Sequence, residues 1–404
     1  MTSNAKLNPD QGLEQSGITS ESVAEGLRVT IGHVLSEIPD CSMRPMDISR
    51  QINVSRVMVG RVLSALAKEE SVEVLMVIPG PETLRLILNA SESAGVLQDR
   101  VQPALEAVDR FDRLIRDHFG TRGAMSAALS IEHADERERF EQASRYQAFK
   151  GMSKILGVES KVWLTCMVMT PSPKGDAGID VTTVHGTTGL RRLRADMPVH
   201  FVYGRPPEYE AGRQAPVRME LDLQQFFSNT PAPLSATEEN GQIINTFAPE
   251  VIGKNALYDM FAGVQISNGS NRSPEPGRSY RGTIVMPDVP VVSLVSDVIL
   301  HGDIFEGIDP ELFVHKTMGK GGADIEDPKR LSDRIQTNDQ IHDLGYGLEN
   351  IEIRGIPNYR QMIEYLCVQS GSQPQDYRVH RLQIQYPVYG FQYAIAYRVS
   401  PPLE

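Results

Sequence analysis

Arg44, Arg50, Arg56 and Arg61 fall between Cys41 and Leu66, a stretch whose one acidic residue is Asp47. A guanidinium is planar and permanently charged, and its donors fork onto a guanine edge or a phosphate. Ser55, Val57, Met58, Gly60 and Ser64 lie among these arginines. Short side chains beside cations let a helix backbone come close to a DNA groove. This is the chemistry of recognition; no bond need be made or broken.

Two helices must position these groups. Ile48 and Ile52 are four apart and share one face of a first helix. Asn53 follows, and asparagine tolerates the left-handed conformation that a tight inter-helix turn needs. Val54 plugs the core beneath the turn, and Ser55 is a good N-cap for a second helix. There Val59, Leu63 and Leu66 make a buried stripe. Arg56, Met58, Gly60, Arg61 and Ser64 take the opposite face. A helical hairpin that merely packs would use the same spacings, and the excess of arginine turns the reading toward DNA. After it, Val72–Ile78 is a β-rich run, Pro79-Gly80-Pro81-Glu82 a turn signal and Thr83–Leu88 a second β-like run.

A helix, a helix-turn-helix and a hairpin over Glu21 to Leu88 resemble the winged-helix family of bacterial transcription regulators, of the IclR or MarR kind. The resemblance stops at Leu88. It implies that Ser55, Arg56, Val57, Met58, Gly60, Arg61 and Ser64 face the groove of double-stranded DNA. Phosphate contacts would come from Arg50 and from Arg85, the hairpin's one basic residue.

The chain has 404 residues, enough for two or three domains. Its net charge of −12 does not suit a protein that coats nucleic acid, although it allows one small basic face. Cys41, Cys166 and Cys367 are few and widely separated, which fits a reducing cytoplasm and no disulfide framework. Met1–Gly17 lacks an apolar secretory core, and no apolar run approaches the ~18–20 residues of a membrane span.

The remaining chain gives four domain-level expectations: a disordered tail over 1–18, the winged helix over 19–90, a helical linker or dimerisation segment over 91–158, and an α/β sensor or assembly domain over 159–404. Leu97, Val101, Ala104, Val108, Phe111 and Ile115 recur at heptad spacing. Either that helix packs on its own chain or it forms a dimer seam. Ala134–Leu156 reads as a long helix stopped by Gly157. Val162–Met169 reads as a strand buried on both faces, and Val217–Leu223 as a half-exposed strand. Val251–Phe261 reads as a helix, and Val289–Leu300 as strand or helix. Asn358–Gln369 reads as another helix. Leu382–Tyr386 and Phe391–Val399 alternate about a turn at Pro387-Val388-Tyr389-Gly390, which predicts a final β-hairpin whose aromatic face is core.

Other groupings carry less. His301, Asp303 and His315 fit no metal-ligand spacing, and Gly319-Lys320-Gly321-Gly322 lacks the full phosphate-loop pattern. Arg191, Arg192 and Arg194 read as salt-bridge partners first and anion ligands second. No nucleophile elbow is present. The sequence therefore predicts a multidomain α+β protein: an N-terminal winged helix-turn-helix, central helices and a strand-rich C-terminal mixed α/β domain. The expected function is a cytoplasmic, non-enzymatic DNA-binding regulator without cofactor. It would be a homodimer off the membrane, with room for a small-molecule effector. The alternative is an enzyme or protein scaffold whose winged helix makes protein contacts.

Overall fold

The computed structural model describes residues 19–129, 134–173, 178–204, 217–239, 242–253, 256–271, 278–369 and 372–399. The tail expected over 1–18 lies outside them. The chain divides into two units, 1–141 and 142–404. Among the described residues no helix is long and apolar enough to cross a membrane.

The described secondary structure of the first unit is helical. It comprises α1 (Ser20–Ser36), α2 (Pro45–Gln51), α3 (Arg56–Leu66), α4 (Ser71–Val77), α5 (Pro81–Ser93), α6 (Gln98–Arg113) and α7 (Arg122–Leu129). Thr19 and Ser22 close a reciprocal cap at the start of α1. Leu27, Ile31 and Val34 of α1 share one core with Leu84 and Ile87 of α5 and with Val101, Ala104, Val108 and Phe111 of α6.

Two expectations are corrected here. No wing hairpin follows α3, because 72–77 and 83–88 fall in α4 and α5 and Ile78 caps α4. Val74 and Leu75 bury against the other helices, and Pro81 occupies the first turn of α5, where its missing N–H costs nothing. The heptad face of α6 is not an open dimer seam either. From Val101 to Phe111 it is the chain's own core, packed on α1 and α5 with Phe111 fully buried, while Leu97 at its start is 66% exposed. The segment expected to stand between domains is thus in part a wall of the first unit.

α8 (Ala134–Leu156) crosses the division between the units and ends at Gly157, whose φ is +67°. The strands that follow are β1 (Val158–Pro171), β2 (Gly178–Arg192), β3 (Val199–Gly204), β4 (Arg218–Leu221), β5 (Thr230–Pro231), β6 (Leu234–Glu239), β7 (Gln242–Phe247) and β8 (Tyr258–Asn271). Next come β9 (Tyr280–Val285), β10 (Val291–His301), β11 (Pro310–Lys316), β12 (Arg334–Ile335), β13 (Ile341–Tyr346), α9 (Tyr359–Gln369), β14 (Tyr377–Gln385) and β15 (Phe391–Arg398).

Eight strands form a large sheet in the order β13-β14-β10-β1-β2-β8-β4, with β5 beside β8. Its β1–β10 and β5–β8 pairs are parallel and the rest antiparallel. A second sheet runs β12-β11-β15-β9 and a third β3-β7-β6. β1 shows why its sequence reads as a continuous apolar run. Trp163 and Met169 face the second sheet's Tyr393, Ile395 and Tyr397, while Val162, Leu164, Cys166 and Val168 face α9. Gly186 of β2 passes so close to β8 that a Cβ would fall 1.9 Å from the Met260 carbonyl oxygen.

Two further expectations fail on long-range pairing. Residues 258–261 belong to β8, which lies between β2 and β4, so the expected helix over Val251–Phe261 does not form. The final hairpin does not close: β14 joins β10 and β13 in the large sheet, while β15 joins β11 and β9 in the second. Their alternating faces meet across the sandwich, and Tyr393 and Tyr397 are core residues as expected.

Candidate nucleic-acid interface

The α2–α3 pair is built as its residues require. Ile48 and Ile52 are buried, and Asn53 takes φ +53°, the left-handed turn conformation. Val54 plugs the turn from below, and Ser49 Oγ donates to its carbonyl at 2.6 Å. Ser55 stands at the N-cap of α3, but its side chain makes no capping bond. The buried stripe of α3 is Val59, Val62 and Ala65, with Leu63 and Leu66 half-buried at its margins. It is rotated slightly from the expected stripe because the full apolar width, not one edge, packs inward.

The opposite face presents Arg56, Val57, Met58, Arg61 and Ser64 to solvent, with Val57 71% exposed. Arg44 and Arg50 are exposed at the two ends of α2. Among the described residues none of these four arginines forms an ion pair, whereas Arg28, Arg85, Arg100 and Arg116 of the same unit do. Met43 and Met46 are also exposed beside them, which the sequence reading had not singled out.

Gly60 and Arg85 are placed differently from the expectation. A Cβ on Gly60 would point at Pro45 Cβ of α2, 3.9 Å away, so this position faces the partner helix. That distance is ordinary contact, and alanine is the better helix former. Gly60→Ala should therefore raise the unfolding free energy by about 0.5–1 kcal/mol and leave DNA affinity nearly unchanged. Denaturant unfolding with a parallel binding titration checks this; a loss of stability would contradict the packing.

Arg85 lies on α5 and pairs with Glu82 at 2.8 Å, Asp109 at 2.8 Å and Asp112 at 2.9 Å. Asp109 first and Asp112 next hold its pKa above the ordinary value. It ties α5 to α6, and its charge is met by carboxylates rather than left open on the surface.

Arg122 is a cation that the sequence reading missed. Its guanidinium donates to the carbonyls of Met76 and Ile78 at the end of α4 and lies 4.9 Å over the Phe111 ring. Burial, and then the charge of Arg61, pull its pKa down to about 10, so it remains charged at neutral pH. It adds positive potential near Arg61. Its place in sequence, far from α3, gave no local signal.

The other groupings are dispersed or satisfied. His301 ends β10 in the large sheet, and His315 is buried on β11 in the second. No cluster of three or more metal-ligating side chains occurs among the described residues. Lys320 of the glycine-rich bend pairs with Asp333 at 2.9 Å. Arg191 pairs with Glu159 and Arg194 with Asp196, while Arg192 bonds the carbonyls of Pro249, Ala195 and Met197. No family model, curated protein or solved structure matches the chain.

Proposed function

We propose that the first unit binds double-stranded DNA as a helix-turn-helix without a wing, and that the protein is a transcription regulator. The observation that carries this reading is the set of four exposed arginines, Arg44, Arg50, Arg56 and Arg61, which among the described residues have no carboxylate partner, in a chain of net charge −12. Arg56 and Arg61 with Val57, Met58 and Ser64 read base edges from α3, and Arg44 and Arg50 hold phosphates. The protein acts as a cytoplasmic homodimer so that two copies of α3 meet successive groove faces ~34 Å apart. The interface lies outside the buried face of α6. The second unit is the sensor or assembly part, and no catalytic step belongs to this reading.

The exposed Met43, Met46, Val57 and Met58 favour one rival, a protein-contact surface. Ionic strength separates the two. Phosphate binding weakens steeply with salt, whereas apolar docking does not. Retention of the full chain on random-sequence duplex DNA, tested at low and moderate salt, is the experiment.

A further inference from the structure

Val57 is the most exposed large apolar side chain among the described residues, at 71%. At about 100° per residue, buried Val59 and Val62 lie about 200° and 140° round the α3 axis from it. Val57 is therefore at the centre of the solvent face of α3. Arg61 and Ser64, four and seven residues on, continue its row and are exposed as well.

Neither packing nor helix formation accounts for a valine at this position. It is not among the apolar side chains that pack on the core of the first unit. A β-branched residue in an exposed helix is a poorer helix former than alanine.

The surroundings of Val57 narrow its counterpart. Arg44 lies between Met43 and Met46, and Arg56 and Arg61 bracket Val57 and Met58. A protein partner calls for a contiguous apolar patch with its polar groups at the rim. Here cations and apolar groups alternate, which complements an anionic surface that carries single apolar groups. The major groove is such a surface. In unmodified DNA the apolar group on its base edges is the C5 methyl of thymine.

We propose that Val57 reads a thymine methyl in each half-site. This rests on the DNA reading and names part of its operator. Arg61 stands one helical turn, ~5.4 Å, further along the row. At a rise of ~3.4 Å per base pair, it reaches an edge one or two pairs away. Guanine offers that guanidinium a bidentate partner. The half-site therefore holds a thymine and a guanine within two base pairs.

The test uses an operator selected by the full chain from a random duplex pool. Each symmetric pair of its thymines is replaced in turn by deoxyuridine, which pairs alike and lacks the methyl. One such replacement should weaken wild-type binding about tenfold, from roughly fourfold for each buried methyl in two half-sites. Val57→Ser should lose discrimination at that pair, to less than about twofold, and respond like the wild type at the others. Its melting temperature should not change, because position 57 is exposed. Indifference of the wild type at every pair, or an undiminished loss in Val57→Ser, would overturn the proposal and leave the DNA reading standing. A pool that yields no bound duplex would remove both and return Val57 to a protein partner.

Discussion

Asp297→Ala should cost the second unit about 3–5 kcal/mol of stability. Asp297 is fully buried on β10, directly opposite Arg381 of β14. Arg381 Nε and Nη2 donate to its two carboxylate oxygens at 2.8 and 2.7 Å, and Tyr359 Oη of α9 donates at 2.6 Å. Arg381 also donates to the carbonyls of Ile351 and Glu352. One ion pair thus joins two strands, α9 and the preceding loop. Removing the carboxylate strands a guanidinium in an apolar core, which is why breaking such a pair costs more than its net contribution when intact. Replacing both partners, as in Asp297→Leu with Arg381→Met, should recover much of the loss. Trp163, the chain's single tryptophan, is buried on β1 and reports unfolding of this unit. A loss below ~1 kcal/mol for Asp297→Ala would mean that the pair is not the pin described.

Arg56→Ala combined with Arg61→Ala should weaken binding to a selected operator by about 2–6 kcal/mol, from ~1–3 kcal/mol for each bidentate contact to a base. Stability should change by less than ~0.5 kcal/mol, because both side chains are exposed and neither forms an ion pair among the described residues. Fluorescence anisotropy on the operator, with denaturant unfolding alongside, gives both numbers. Equal affinity of wild type and double variant would remove α3 as the reading element. A joint loss of affinity and fold would show the arginines to be structural.

What the sequence revealed follows the range of the forces involved. Local chemistry was legible. The Ile48–Ile52 step and Asn53 marked the turn, and Gly157 stopped α8. The doubly buried run of β1 identified a central strand. Where distant pairing decides, the same reading erred. Val72–Ile78 is rich in β-branched residues, yet its apolar side chains bury as a helix among helices. Pro81 looked like part of a turn and is a helix start. The strands β14 and β15 alternate as a hairpin would, but each finds its partners in a different sheet. The heptad spacing on α6 is a real apolar stripe, and nothing local distinguishes a stripe covered by α1 from one covered by a second chain. Within the candidate site, exposure of Arg56, Arg61 and Met58 followed from helical periodicity, whereas Val57 was placed there only by the resemblance. The ion pairs of Arg85 and the proximity of Arg122 to Arg61 depend on packing between helices distant in sequence.

The central claim is most directly tested by the salt dependence of duplex binding. Each phosphate neutralised contributes about −0.9 to the slope of log affinity against log salt. Arg44 and Arg50 on both copies of the proposed dimer make four phosphate contacts, which predict a slope steeper than about −2, hence at least a roughly tenfold loss between ~50 and ~200 mM salt. Arg44→Ala with Arg50→Ala, which removes those four contacts from the dimer, should make the slope shallower by about 3–4. A slope near zero, or no binding to duplex DNA even at low salt, would contradict DNA recognition by this face.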